Sequence, residues 1–129
     1  MDNKKRVLIV TDGTDPIKAI AESIASCLTG SEVKICSAES FAGTDLLPAH
    51  VFFLGCEDPN PDSFNYISQM LAHINLAGRR CGVFSSNNKA LKYLSGLVKS
   101  CEAVLGEPLL AGNGEIKQAD LKKWLKGIL

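Results

Sequence analysis

Three short stretches of this chain concentrate the groups able to do chemistry. In the first, Thr11, Asp12, Gly13, Thr14, Asp15 and Pro16 follow one another just ahead of a helical pattern. Two hydroxyls and a glycine at a helix start can wrap an anion with O–H and N–H donors, whereas the two carboxylates among them repel one. The second stretch is Glu57, Asp58, Pro59, Asn60 and Pro61, and the third is Ser85, Ser86, Asn87 and Asn88. The third offers hydroxyls and amides to a ligand edge, or a cap to the helix that follows it.

The remaining reactive side chains point away from catalysis. Cys27, Cys36, Cys56, Cys81 and Cys101 show no C-x-x-C and no cysteine pair beside a paired histidine. That spacing excludes zinc-finger, iron–sulfur and thioredoxin-type motifs, and five free thiols fit a reducing compartment. Four of the five fall at positions that read as core. Cys56 alone stands beside one of the three stretches, but Glu57 and Asp58 next to it raise a thiol pKa rather than lower it. Packing is therefore its expected role. His50 and His73 read as structural or solvated, so neither a catalytic nor a metal centre is expected.

The elements that must position these stretches follow from hydropathy. Residues 7–10 form an apolar, β-branched run, the mark of a strand buried on both faces. The spacing then changes to 3.6, with Ile17, Ile20, Ala21, Ile24, Cys27 and Leu28 on one stripe. Asp15 is the expected N-cap, Pro16 the first helical residue and Gly30 the stop. Strands are expected over 33–36, 51–55 and 81–84, with one short helical turn before Pro48. A helix carrying Phe64, Ile67, Leu71 and Ile74 is expected to end at Gly78, and another carries Leu91, Leu94, Leu97, Val98 and Cys101. Residues 105–110 supply a fifth strand, made irregular by Gly106 and Pro108 and so placed at an edge. Leu121, Trp124, Leu125 and Ile128 mark the terminal helix, with Trp124 packed on the sheet.

Five strands alternating with helices give an α/β fold, a doubly wound parallel sheet of order 2-1-3-4-5 sandwiched by helices in one domain over residues 1–129. Ligands of such sheets sit outside the carboxyl ends of the strands, where strands 1 and 3 meet. This rule gathers the three polar stretches at one place.

Composition limits the partners. The 129 residues are 46% hydrophobic and 22% charged with a formal net charge of zero, which argues against nucleic acid or a membrane surface as a partner. The longest apolar run, residues 51–54, is far below the ~20 residues of a membrane span. A secretory leader is not expected either, because the apolar run after Lys4, Lys5 and Arg6 is too short. A soluble, cytoplasmic protein is the expectation. Residues 1–64 carry a net charge of −5 and residues 65–129 one of +5, so the surface is either polarised or has the two signs interleaved.

The chain resembles the flavodoxin family over nearly its whole length. The likeness rests on residues 6–11 (Arg-Val-Leu-Ile-Val-Thr), 20–24 (Ile-Ala-Glu-Ser-Ile), 49–56 (Ala-His-Val-Phe-Phe-Leu-Gly-Cys), 76–85 (Leu-Ala-Gly-Arg-Arg-Cys-Gly-Val-Phe-Ser) and 120–125 (Asp-Leu-Lys-Lys-Trp-Leu). The resemblance implies an FMN-binding one-electron carrier with a redox partner protein rather than a stand-alone enzyme. Its flavin pocket would be lined by Thr11, Asp12, Gly13, Thr14, Glu57, Asp58, Asn60, Ser85, Ser86 and Asn87. In that family a T-x-T-G-x-T loop wraps the FMN phosphate. Laid on residues 12–17, only Thr14 matches; Asp12 replaces a hydroxyl and Asp15 a glycine, and Pro16 lacks an N–H. A weakened phosphate site is therefore expected. Tyr66, off the apolar stripe, reads first as plain surface and is otherwise the candidate for a contact with a flavin ring.

Two other readings remain. One is a flavodoxin-like domain that has lost FMN and acts as a protein-interaction module with a regulatory partner. The other is a phosphoacceptor receiver, which needs an aspartate at the end of strand 3 and a lysine after strand 5. Gly55 and Cys56 hold the first place, and residues 107–112 contain no lysine.

Overall fold

The computed structural model describes residues 5–46, 48–112 and 115–129. Strand β1 (Arg6–Thr11) leads into α1 (Asp15–Cys27), then β2 (Glu32–Ser37), the short α2 (Gly43–Leu46) and β3 (Val51–Gly55). A 3-10 turn at Asp62–Phe64 opens α3 (Asn65–Ala72); β4 (Arg80–Ser85), α4 (Asn88–Ser100), β5 (Val104–Leu105), β6 (Leu109–Leu110) and α5 (Gln118–Ile128) follow. All pairings are parallel and the order is β2-β1-β3-β4-β5, with β6 also on β4. This is the expected doubly wound sheet.

Alternation along the central strands decides which side chains meet which helix layer. Leu8 and Val10 of β1, Phe52 and Leu54 of β3, and Cys81 and Val83 of β4 face one layer, with Phe64, Ile67, Leu71, Leu94 and Val98. Val7, Ile9, Val51, Phe53 and Phe84 face the other, with Ile17, Ile20, Ile24, Leu121, Leu125 and Ile128. Trp124 packs its ring 5.6 Å from that of Phe53 and donates its indole N–H to Glu107 O at 2.6 Å. Ile128 closes on the sheet only because Gly82 and Gly106 lack side chains: a Cβ on either would stand 2.6 Å from an Ile128 carbon.

The helix ends differ from expectation in three places. Thr14, not Asp15, is the N-cap of α1, and Asp15 is its first residue; the helix ends at Cys27, before Gly30. Helix α3 stops at Ala72, so Ile74 and Gly78 lie beyond it. Asn75 shapes the exit by accepting from Ala77 N–H at 2.9 Å, and Gly78 supplies a positive φ of 86° in the turn towards β4. The fifth strand is irregular as expected: two two-residue pieces on β4, interrupted where Gly106 and Pro108 stand. Two of the cysteines expected in the core, Cys27 and Cys36, are only half-buried. Apart from Lys117, the N-cap of α5, the lysines of the second half divide between α4 and α5, which cover opposite faces of the sheet. Among the described residues no helix is long and apolar enough to cross a membrane.

Candidate functional site

The carboxyl ends of β1, β3 and β4 bring the three polar stretches together, and a continuous set of hydrogen bonds joins them. Thr11, buried at the end of β1, accepts from Gly13 N–H through Oγ1 at 3.3 Å. Gly13 is exposed and takes a φ of 83°, a conformation that favours glycine. The chain then turns so that the Asp12 carboxylate points back over its own loop. Asp12 Oδ1 accepts from Thr14 N–H at 3.0 Å and from the Thr14 hydroxyl at 2.6 Å. Asp12 Oδ2 accepts from Glu57 N–H at 2.7 Å, across 45 positions of sequence.

From Glu57 the connection continues to the third stretch. Asn87 donates its side-chain N–H to Glu57 O and accepts from Ala90 N–H at 2.9 Å, so it caps α4 and ties that helix to the loop after β3. Ser85, fully buried, donates its hydroxyl to Cys56 O at 2.6 Å and accepts from Asn87 N–H at 3.2 Å. Six of the expected site residues (Thr11, Asp12, Thr14, Glu57, Ser85 and Asn87) thus turn polar groups towards neighbouring loop atoms. Asp58 and Asn60 are exposed on the second stretch, Asn60 with a φ of 50°, and Ser86 is half-buried on the third.

Whether an FMN phosphate fits this loop can be judged from the donors. A dianionic phosphate must be met by N–H and O–H groups. Thr14 N–H, the Thr14 hydroxyl and Glu57 N–H already donate to a carboxylate. Pro16, in the first turn of α1, has no N–H to add, and Asp15 stands exposed at the same helix start. Entry of a phosphate beside Asp12 would set two anions within a few ångström, a repulsion of about 4 kcal/mol for unit charges 4 Å apart near a protein surface. With these three donors turned to Asp12 and a carboxylate in their midst, the loop as folded does not fit a phosphate group there. Only the Asp15 and Ile17 N–H groups remain at the helix start. The second and third stretches contain no aromatic residue. Tyr66, in the first turn of α3, is 54% exposed and lies with its ring 6.2 Å from that of Phe41.

Cys56 is sealed beneath the second loop, and burial pushes its thiol up to about 12, with Asp12 and Asp58 adding to the effect. A thiol held protonated in this way is a packing group, not a nucleophile. Beside it, burial and then Cys56 raise the phenol of Tyr93. Its hydroxyl is buried and has no hydrogen-bond partner among the described residues. Tyr93 escapes a reading of the sequence because helical spacing gives no hint that its oxygen lacks a partner. His50 and His73 are exposed; His50 Nδ1 accepts from Arg6 N–H at 3.0 Å, and His73 Nδ1 lies 2.8 Å from Gln69 O.

An open parallel sheet with helices on both faces and polar loops over β1, β3 and β4 defines a doubly wound α/β protein. Its fold is that of the flavodoxins. A short-chain flavodoxin associated with a PDU bacterial microcompartment superposes with a TM-score of 0.85, at 15% identity, over 97% of this chain and 96% of that one. The flavodoxin of Streptococcus pneumoniae TIGR4 matches with a TM-score of 0.79 and 20% identity over 95% of each chain. The two-electron reduced flavodoxin of Megasphaera elsdenii matches with a TM-score of 0.70 and 21% identity over 92% and 94%. No family profile matches the chain, and no curated protein sequence does.

Proposed function

We propose that this chain is a single flavodoxin-fold domain that works without tightly held FMN and acts through protein contacts made by its three-loop face. The observation that carries the reading is the hydrogen-bond circuit from Thr14 through Asp12, Glu57 and Asn87 to α4, which turns the donors of the face onto one another. A flavodoxin-type carrier needs those donors directed outward to a phosphate. The zero net charge supports a protein partner over nucleic acid or a membrane surface. Asp15, Asp58 and Asp62, exposed around the circuit, give the face an acidic rim suited to a basic partner. Absorbance of the protein purified without added flavin tests the reading: a colourless protein is expected, and a visible flavin spectrum overturns it.

A second reading, an FMN-binding one-electron carrier, is favoured by the likeness to flavodoxins along almost the full chain. On that reading the bound flavin would supply the one-electron chemistry, and this chain's part would be to hold and orient it at the three loops. The same spectrum separates the two.

A further inference from the structure

The resemblance places two carboxylates, Asp12 and Asp15, where a phosphate loop has a hydroxyl and a glycine, and treats them alike. The structure separates them. Asp15 is exposed in the first turn of α1, where a negative charge is favourable to the helix. Asp12 is partly buried, and both of its oxygens are engaged: Oδ1 with Thr14 N–H and the Thr14 hydroxyl, Oδ2 with Glu57 N–H. The contacts to Thr14 are those of a local turn and would form in many loops. The contact to Glu57 is different, because it joins the end of β1 to the end of β3 and gives the turn nothing. A carboxylate that gathers three donors from two loops has the charge and the acceptor geometry of a bound oxyanion.

We infer that Asp12 is a built-in anion that determines the ligand specificity of this face, occupying the place between the first and second loops that a phosphate would otherwise take. The inference rests on the cofactor-free reading of the same face and gives it a single-residue cause. It also assigns the exclusion to one of the two carboxylates. Neutralising Asp15 leaves the three donors engaged, whereas removing the Asp12 carboxylate frees them. Asn at position 12 has the size of aspartate and one acceptor oxygen, so it can keep the turn at Thr14 but meets Glu57 N–H with a second donor instead of an acceptor. Thr at position 12 is shorter, carries no charge and adds a hydroxyl.

The test uses the full chain in four forms: wild type, Asp12→Thr, Asp12→Asn and Asp15→Asn. Inorganic phosphate is the first probe, with the amide resonances of Thr14 and Glu57 followed by nitrogen-15 NMR. FMN and riboflavin are the second pair, followed by flavin fluorescence. Wild type and Asp15→Asn are expected to show no saturable shift of either amide. Asp12→Thr is expected to show saturable shifts of both, and an FMN affinity raised roughly tenfold or more over wild type, with riboflavin left nearly unchanged. Asp12→Asn, closest to wild type in shape, should lose protection of the Glu57 amide against hydrogen exchange and gain part of the phosphate response. It keeps the inference testable if Asp12→Thr fails to fold.

Folded Asp12 variants in which neither amide responds to phosphate would overturn the inference, and so would a gain produced by Asp15→Asn alone. Saturable shifts of these two amides in wild type would overturn it as well. Wild-type protein that binds FMN with both amides unmoved overturns the cofactor-free reading and supports Asp12 as the group that keeps the phosphate out, so the two failures are distinguishable.

Discussion

The middle of the sheet and the loops at its carboxyl end are both tightly joined, but by opposite means. In the middle, β1, β3 and β4 are held by apolar side chains from two helix layers, with Phe52, Phe53 and Phe84 almost wholly excluded from water. At the carboxyl end, the loops are held to one another by hydrogen bonds around one carboxylate and one asparagine. The first kind of cohesion depends on volume and is non-directional. The second depends on which atom donates and which accepts, so one change of charge or of donor can redirect it. A sheet built in the first way can therefore keep its fold while the loops above it change ligand.

Substitutions that act on one region and spare the other should sharpen this contrast. The largest effect belongs to the middle: Phe53→Ala removes a fully buried ring packed on Trp124, and should lower unfolding free energy by about 3–5 kcal/mol in denaturant titration. It should do so whatever flavin or phosphate is present. Asp12→Ala should cost less, about 1–3 kcal/mol, by leaving Thr14 and Glu57 donors without their acceptor. Added phosphate should recover part of that loss but none of the Phe53→Ala loss.

Cys56 lies where the two regions meet, and its titration reports on both. Its folded pKa of about 12 lies above the value of about 8.5 for an unfolded thiol. The unfolded chain therefore releases this proton first as pH rises, and binds fewer protons than the native state between those values. Stability contributed by the buried thiol is complete below about pH 8.5 and should fall steadily towards pH 12. Urea midpoints of wild type and Cys56→Ala measured from pH 8 to 10 should converge as pH rises. Alkylation in native protein should label the half-buried Cys27 and Cys36 well before Cys56.

The smallest expected effect carries the opposite sign. Tyr93→Phe removes a buried hydroxyl that lacks a partner and keeps the ring against Phe64, 6.3 Å away. Relief of the unpaired oxygen should leave stability unchanged or raise it by up to about 1 kcal/mol. A clear loss would mean that the hydroxyl has a role in the native state.

How far the sequence discloses each region follows from the same physics. The strand order, the layers, the burial of Phe64 and the packing of Trp124 on the sheet are legible because alternation and 3.6-residue spacing act locally and are repeated many times. The ends of α1 and α3 are less so. Leu28 and Ile74 continue the apolar stripes past the true helix ends, while the polar exit through Asn75 is a single contact. Asp12 is legible only as a charge in the wrong place for a phosphate. The Asp-x-Thr spacing of residues 12–14 does signal a side-chain turn. Nothing local signals that the other carboxylate oxygen reaches Glu57, because that contact exists only once β1 and β3 have paired. The cap at Asn87 was readable from position, but its hold on Glu57 O was hidden for the same reason.

The three-loop face, on the reading proposed above, is closed to FMN by its own hydrogen bonds. The most direct measurement is a titration of the wild-type protein against FMN with the flavin fluorescence as readout. No quenching is expected up to high micromolar protein. Saturable quenching by FMN that riboflavin does not share would contradict that reading, since it would require the phosphate to be received by the loop that Asp12 fills.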